Sequence, residues 1–497
     1  MCPGQYSIKD KCCYESDRMP ISPNNSTKYW VRPGVIFWQG KKGSYIEDAL
    51  SKRIQKINAT AYFLLQLCNG RTVNQIIEAV HERFEGSSIA KVDIPIFISQ
   101  LKNKRLLVET APKNLLRKSK KRSFPLGLVF CELTYTCNLR CTTCYNFSGQ
   151  PREDEMTTTE WKIALEKIAN ANPKNRPTVI FTGGEPLFRK DFFDLASYAK
   201  ELGLYVQLFT NGTLIDNDVA IKISKMNLDY VRISVDGASA ETNDGIRGKG
   251  GFDKAVSAMK YLTENNVKVC WQSVISQSNF HELNKMIKLA ISLGLDGFRA
   301  SSLDPIGRGE SIKSLCLSPK QELTLWTFMA KSALEYGNKI KIGWGADYCM
   351  EIDWTKILIE PQIKSPAELV EHPELLFNYV TNSMCGVGLR SCLITPAGFI
   401  ALCPLLTAPE LQMGHVLKDD FASVWANGKA FQVLRETPLE EFDECNSCGF
   451  RYSCLGGCRG LAYLLKGRLT ACDPKRLGGY EYFASNFERS LSKKAMW

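Results

Sequence analysis

The chain has 497 residues, room for about three domains of ordinary size, and its 63 lysines and arginines against 52 acidic residues leave a net charge of +11. No stretch reaches the ~18 consecutive apolar residues of a membrane helix, and the N-terminal MCPGQYSIKDKCCYESDRMP has neither the apolar core nor the cleavage site of a signal peptide. A cytoplasmic protein is expected, and in a reducing compartment its 19 cysteines read as metal ligands rather than disulfides.

Residues 1–27 read as a flexible tail. From 28 to 110 the pattern is that of a small α+β module. GVIFWQ and SYIEDAL are strand-like, and NATAYFLLQLCNG is a helix capped by Asn58 and stopped near Gly70. TVNQIIEAVHERF repeats apolar residues at Val73, Ile76, Ile77, Val80 and Phe84 with Thr72 as its cap, and VDIPIFISQLKNKRLLVE closes the module as a helix and a strand. Nothing catalytic stands out there, so binding is its expected role. Residues 111–125 contain the basic run KNLLRKSKKR, which reads first as a solvated linker. Its sharper alternative is a contact for an acidic peptide or nucleic acid, but aromatics are not interleaved with the basic residues as a nucleic-acid groove needs.

Residues 126–310 alternate strand and helix periods. LGLVFCELT, TVIFT, YVQLFT, YVRISV, VKVCWQSV and GFRASS are the strands; TTEWKIALEKIAN, DFFDLASYAKEL and FDKAVSAMKYLTEN are among the helices. Such units build an α/β parallel sheet, a partial six-unit TIM-like barrel with its active residues at the carboxyl ends of the strands. Cys137, Cys141 and Cys144 follow the first strand in a CxxxCxxC spacing. Three thiolates on a 4Fe-4S cluster, which normally takes four, leave one iron open.

CNLRCTTCY resembles the cluster motif of radical S-adenosylmethionine (SAM) enzymes, which implies a cluster held by Cys137, Cys141 and Cys144 whose open iron is chelated by the amino and carboxylate groups of SAM, and SAM cleavage to a 5′-deoxyadenosyl radical. Thr143 departs from the aromatic residue common before the third cysteine. Further motifs come in the family's order. FTGGEPLF resembles its GGEP motif, with Gly183, Gly184, Glu185 and Pro186; the resemblance implies that Glu185 accepts from the SAM amino group and that the glycines permit close backbone approach. FTNGT with Asn211, SVDGAS with Ser234 and Asp236, and GIRGKGGF with Arg247 resemble the later strand ends, which implies Ser234 and Asp236 near the ribose or methionyl group and Arg247 at the carboxylate.

Residues 311–384 carry the least pattern and read as a bridge, and any acid or base between Ser302 and Met384 is hidden there. The four histidines lie outside the motifs. From 385 to 480 seven cysteines recur in order: Cys385, Cys403, Cys445, Cys448, Cys454, Cys458 and Cys472. Zinc is the plain alternative for such thiol sets. The spacing, with Gly398 between the first two, resembles the SPASM extension of radical SAM enzymes. That resemblance implies two auxiliary 4Fe-4S clusters, hence three in all: Cys385, Cys403 and Cys458 on the first, and Cys445, Cys448, Cys454 and Cys472 on the second. The first lacks a fourth ligand; Cys349, Cys392 or an open iron remain as alternatives. Cys2, Cys12, Cys13, Cys68, Cys131, Cys270 and Cys316 are expected to be buried or free, and 481–497 to be a tail.

The first module is then similar to the winged-helix-like PqqD-type recognition element of peptide maturases. The resemblance implies that a leader peptide pairs with an edge strand near Ser51–Ile57 and packs against the helix around Ile96–Leu101. Together these features imply a radical SAM maturase that modifies a ribosomally made precursor peptide, served by an external electron donor such as ferredoxin or flavodoxin. Cys-to-carbon thioether crosslinks of the sactipeptide or ranthipeptide kind are the leading expectation, and carbon–carbon crosslinking or oxidative decarboxylation the alternative. A sulfatase-maturing type fits less well because Pro404 follows Cys403 where that group has an Asp. A leader-binding iron–sulfur scaffold would need no open iron.

Overall fold

The computed structural model of the protein describes residues 26–32, 35–40, 43–48, 53–83, 89–110, 124–174, 176–344, 385–445, 448 and 456–475. The chain divides into two compact units, Met1–Arg32 with Phe63–Pro112, and Pro33–Tyr62 with Lys113–Trp497.

The N-terminal elements are strands β1 (Lys28–Val31), β2 (Val35–Gly40), β3 (Gly43–Asp48) and β4 (Arg53–Ile57), helix α1 (Ala59–Leu67), strand β5 (Asn69–Thr72), helices α2 (Val73–Arg83) and α3 (Ile89–Asn103), and strand β6 (Leu107–Val108). Both expected helix caps form. Asn58 Oδ1 accepts from the Ala61 amide at 2.7 Å, and Thr72 and Gln75 exchange side-chain-to-backbone bonds as a capping box. In the first unit β1 lies between β5 and β6, antiparallel to both, and Ile76, Val80, Ile98 and Leu101 are buried. In the second unit β2, β3 and β4 form an antiparallel sheet in that order, which leaves β4 at an edge.

The rest of the second unit is a sheet wrapped by helices. Its elements are β7 (Leu128–Glu132), α4 (Thr158–Ala171), β8 (Thr178–Thr182), α5 (Phe192–Glu201), β9 (Tyr205–Thr210), α6 (Asn217–Lys225), β10 (Tyr230–Ser234), α7 (Ala240–Arg247), α8 (Gly251–Glu264), β11 (Val269–Ile275), α9 (Leu283–Ser292), β12 (Gly297–Ser302), α10 (Pro319–Tyr336) and β13 (Lys341–Trp344). Then come β14 (Ser391–Ile394), β15 (Phe399–Ala401), β16 (Gly414–His415), α11 (Phe421–Asn427), α12 (Lys429–Glu436) and α13 (Arg459–Lys466). Among the described residues the sheet has ten strands, ordered β13-β12-β11-β10-β9-β8-β7-β14-β15-β16. Neighbours from β13 to β14 are parallel, and β15 and β16 are antiparallel additions. The expected βα alternation is therefore present.

The sheet continues past residue 310. Helix α10 begins with Ser318 as a capping-box N-cap and Pro319 at its first position. Strand β13 pairs in parallel with β12, so part of the expected bridge adds a further parallel strand at the edge of the barrel sheet. On the far edge β14 pairs with β7, so the cysteine-rich region extends the barrel's own sheet. Alternation sorts the side chains. Val129, Cys131, Val179, Phe181, Val206 and Leu208 join the helices in one large core, whereas Phe130, Ile180 and Phe209 cluster on the opposite face with Leu393 and Ala401. Among the described residues no helix is long and apolar enough to cross a membrane.

Candidate active site

Strand β7 ends at Glu132, and the chain passes into the loop of Cys137, Cys141 and Cys144. Backbone bonds from neighbouring strand ends fix that loop. The Gly184 amide donates to Thr134 O at 2.7 Å, that of Glu185 to Thr136 O at 2.8 Å, and that of Thr142 to Ile246 O at 2.9 Å. The two glycines are required by this approach. Gly183 has φ +124°, a Cβ there would stand 2.6 Å from Thr134 O, and one on Gly184 would overlap the Thr136 carbonyl. Their close contact is thus with the cysteine loop itself.

Asn211, past the end of β9, ties into the same loop: its Nδ2 donates to Asn138 Oδ1 at 2.8 Å and reaches Cys137 Sγ at 4.0 Å. Asp236 and Arg247 form a buried ion pair, Oδ2 to Nε 2.8 Å. Asp236 Oδ1 also accepts from the Val274 amide at 2.7 Å, and the Arg247 carbonyl accepts from the Cys141 thiol at 3.8 Å. Glu185 is held by the ends of the neighbouring elements. Fully buried, it accepts from Thr210 Oγ1 (2.7 Å), the Asn211 amide (2.7 Å) and the Leu187 amide (3.1 Å), while Pro186 opens the short turn that Glu185 caps. Burial raises the Glu185 pKa to about 7 against these donors.

A cavity of about 340 Å³ opens beside the loop. Cys137, Cys141 and Cys144 line it with Gly183, Gly184, Asn211, Ser234 and Arg247; Glu185, Pro186 and Asp236 stand behind that lining. Cys385, Cys403 and Cys458 line the same cavity. Burial pushes the Cys137 thiol up to about 11 and raises those of Cys141, Cys403 and Cys458, so the metal-free thiols hold protons that ligation must displace.

The remaining cysteines separate clearly. Cys445 and Cys472 share a hydrogen bond, which lowers the Cys472 pKa, and the Cys448 amide donates to Cys445 O at 3.2 Å. Cys454 and Cys349 lie outside the described residues, as do Cys2, Cys12 and Cys13. Cys392, a candidate fourth ligand, is not among the residues that line the cavity. It sits on β14 with its side chain in the large core beside Cys131 and Arg435, on the face opposite Leu393. Period-two alternation turns it outward where a spacing argument sees only a nearby thiol. Cys68, Cys131 and Cys270 are buried thiols, and Cys316 is half-buried.

Some site residues escaped the sequence reading. Glu132 is 2% exposed and accepts from Tyr145 Oη at 2.9 Å; burial raises its pKa to about 7. Tyr145 lines the cavity. A lone carboxylate at the end of the apolar strand LVFCE was the available signal. Lys475, three positions after Cys472, donates to Leu303 O at 2.8 Å and pairs with Asp304; all three border the cavity.

The donor chemistry suits iron–sulfur clusters, since two sets of three soft thiols line one cavity and Cys445 and Cys472 share a hydrogen bond, while among the described residues no group of three or more His, Cys, Asp or Glu side chains is drawn together closely enough to hold a metal ion. The comparisons agree. The Radical SAM superfamily matches residues 131–290, the coenzyme PQQ synthesis protein D (PqqD) family 46–107, and an iron–sulfur cluster-binding domain, SPASM, 385–449. The chain is 31% identical over 370 residues to mycofactocin maturase MftC of Mycobacterium tuberculosis (strain CDC 1551 / Oshkosh), covering 73% of this chain and 85% of that protein. It is 29% identical over 349 residues to the AdoMet-dependent heme synthase of Methanosarcina barkeri (strain Fusaro / DSM 804), covering 70% and 95%. Among solved structures, Streptococcus suis SuiB bound to S-adenosylmethionine shares the fold at a TM-score of 0.54 and 17% identity, over 90% of this chain and 99% of SuiB. A fused recognition domain, a six-unit barrel with its cluster loop and a cysteine-rich extension meet in one chain, which belongs to the radical SAM superfamily as an enzyme whose cofactors are SAM, a 4Fe-4S cluster in the core and auxiliary iron–sulfur clusters in the SPASM region.

Proposed function

We propose that the enzyme modifies a ribosomally made precursor peptide, capturing its leader through the PqqD-like region and forming a Cys-to-carbon thioether in its core. The observation that carries this reading is the meeting of two three-thiol sets on one cavity in a chain whose N-terminal region matches PqqD. With Cys392 turned into the core, the first auxiliary set has three thiols among the described residues, which suits a substrate thiolate as a further ligand.

When bound, SAM and its cluster supply a 5′-deoxyadenosyl radical that takes a hydrogen atom from a substrate carbon. The chain's own residues do the rest. Cys137, Cys141 and Cys144 hold the core cluster, and Asn211 and the Asp236–Arg247 pair hold the loop around it. Overall, one S–H and one C–H bond give way to one S–C bond. One hydrogen would leave as an atom to that radical and the other as a proton, and the remaining electron would need an acceptor, a role that auxiliary clusters held by Cys385, Cys403 and Cys458 or by Cys445, Cys448 and Cys472 would be suited to supply. Glu132 Oε1, reached through Tyr145 Oη at 2.9 Å, is suited to hold that proton because its pKa near 7 lets it exchange at neutral pH. Among the described residues the outer edge of β4 has no strand paired to it and so offers backbone for a leader strand, and a ferredoxin or flavodoxin supplies the reducing electron.

The deciding experiment incubates the reconstituted enzyme anaerobically with SAM, reductant and synthetic leader–core peptides containing a core cysteine. A thioether removes two hydrogens and the alkylatable thiol together. Loss of two hydrogens with the thiol still alkylatable would instead mean carbon–carbon coupling, and loss of CO2 decarboxylation. Formation of 5′-deoxyadenosine with no peptide changed in mass would sink the maturase reading.

A further inference from the structure

The segment that leaves β12 touches both cysteine regions. At its far end the Arg308 amide donates to Cys144 O at 2.8 Å. The Arg308 guanidinium then forks, Nε to Cys141 O at 2.7 Å and Nη1 to Ser148 O at 2.9 Å. Gly307 makes this possible, since at φ +56° a side chain there would overlap the carbonyls of Cys144 and Tyr145. A planar guanidinium suits this fork, with fixed donors on different nitrogens reaching two separate carbonyls.

At its near end the same segment is held from the SPASM side. Lys475 Nζ donates to Ser302 Oγ at 3.1 Å and Leu303 O at 2.8 Å, and pairs with Asp304. The Lys475 amide in turn donates to Asp473 Oδ1 at 3.0 Å, and Asp473 Oδ2 accepts from the Cys458 amide at 2.9 Å. An unbroken run of hydrogen bonds and short covalent segments thus leads from Cys458 and Cys472 through residues 302–308 to Cys141 and Cys144.

We propose that residues 302–308 form a bracket that sets the separation of the two cysteine regions across the cavity, with Arg308 and Lys475 as positioning residues at its ends. The inference rests on the reading of these cysteines as cluster ligands. Its consequence for a bound peptide is direct: the bracket decides which substrate atoms face each cluster. Arg308 also places a permanent positive charge against the cysteine loop, which favours the more negative, reduced cluster.

Hydrogen exchange of the full chain, with and without iron, tests the bracket independently of any peptide. Losing the fork in Arg308→Gln or Arg308→Lys is expected to raise exchange across 139–149 by about tenfold, the scale of losing a charge-assisted hydrogen bond, while α4 and α5 keep wild-type protection. Lys475→Met is expected to loosen 302–308 and 139–149 together. In reconstituted protein the core-cluster potential should move negative in Arg308→Gln and stay near wild type in Arg308→Lys, which separates charge from geometry. Unchanged exchange across 139–149 in the Arg308 variants, loosening confined to 472–475 in Lys475→Met, or an unmoved potential in Arg308→Gln would each overturn the proposal. Failure of the maturase reading would show only in the peptide masses.

Discussion

The core cysteine loop and the SPASM cysteines reach the same cavity by opposite means. Cys137, Cys141 and Cys144 occupy one short loop, and the ends of the neighbouring strands hold it through backbone groups. Cys385, Cys403 and Cys458 come from three separate segments: before β14, after β15, and at the N-cap of α13, where Cys458 Sγ accepts from the Leu461 amide at 3.5 Å. The first set depends on local chain geometry and a few exact-fit glycines. The second depends on β14 to β16 extending the barrel's sheet, so its placement is a property of the whole core.

That contrast is broken most severely by removing either set. Changing Cys137, Cys141 and Cys144 together to Ala is expected to abolish SAM cleavage while auxiliary iron remains. Changing Cys385, Cys403 and Cys458 together should leave SAM cleavage and remove peptide product. Anaerobic iron analysis with 5′-deoxyadenosine and peptide mass readouts checks both, and SAM cleavage by the first variant would remove the distinction.

Glu132 sharpens the contrast, because it lies beneath the core loop and also influences the Cys403 thiol. Burial raises its pKa from the model-compound 4.5 to about 7, so the folded chain retains a proton that the unfolded chain has lost. Stability from this group is therefore full below about pH 4.5 and falls as pH rises through 7. Glu132→Gln should stabilise the metal-free chain above pH 7 by up to about 3 kcal/mol, the equivalent of that shift, and the gain should vanish near pH 4.5. Glu185, raised to about 7 by burial, keeps its own share of the slope. Denaturant melts from pH 4 to 8 measure this; a pH-independent difference would show that Glu132 is ionised in the fold.

A smaller effect separates steric need from backbone preference. Gly184→Ala sets a Cβ against the Thr136 carbonyl between two backbone segments already joined by hydrogen bonds. The expected cost is about 1–3 kcal/mol, with poor loading of the core cluster. Gly467→Ala, at φ +74° with nothing within 4 Å, should cost only about 1 kcal/mol and leave iron unchanged. Equal iron loss in both would mean that the close approach at Gly184 is unimportant.

The barrel was legible because six apolar strand segments and their amphipathic helices each announce themselves within a short window. TVIFT and GFRASS coincide with β8 and β12. The caps at Asn58 and Thr72 were legible for the same reason. What escaped is non-local. Nothing in QELTLWTFMAKSALEY says that it completes a sixth unit, because that requires β13 to pair with β12. Nothing in PIGRG marks Arg308 as a clamp, since its carbonyl partners lie far earlier in the chain. Glu185 is buried with Thr210 and Asn211 as partners, which a linear motif does not reveal.

Cys392 is where the two kinds of legibility collide. It stands seven positions after Cys385, close enough in sequence to tempt assignment as a ligand, yet strand parity decides otherwise. Leu393 shares the face of Phe130 and Phe209, and Cys392 points into the layer that holds Cys131 and Trp425. Cys392→Ala should therefore leave iron and sulfide content and the Mössbauer spectrum of the reconstituted enzyme unchanged, at a stability cost of about 1 kcal/mol for a small buried deletion. Cys385→Ala, from the cavity wall, should alter the auxiliary-cluster signal. If Cys392→Ala alters that signal as strongly, strand parity does not govern ligation here, and the case for a substrate thiolate at the first auxiliary cluster weakens with it.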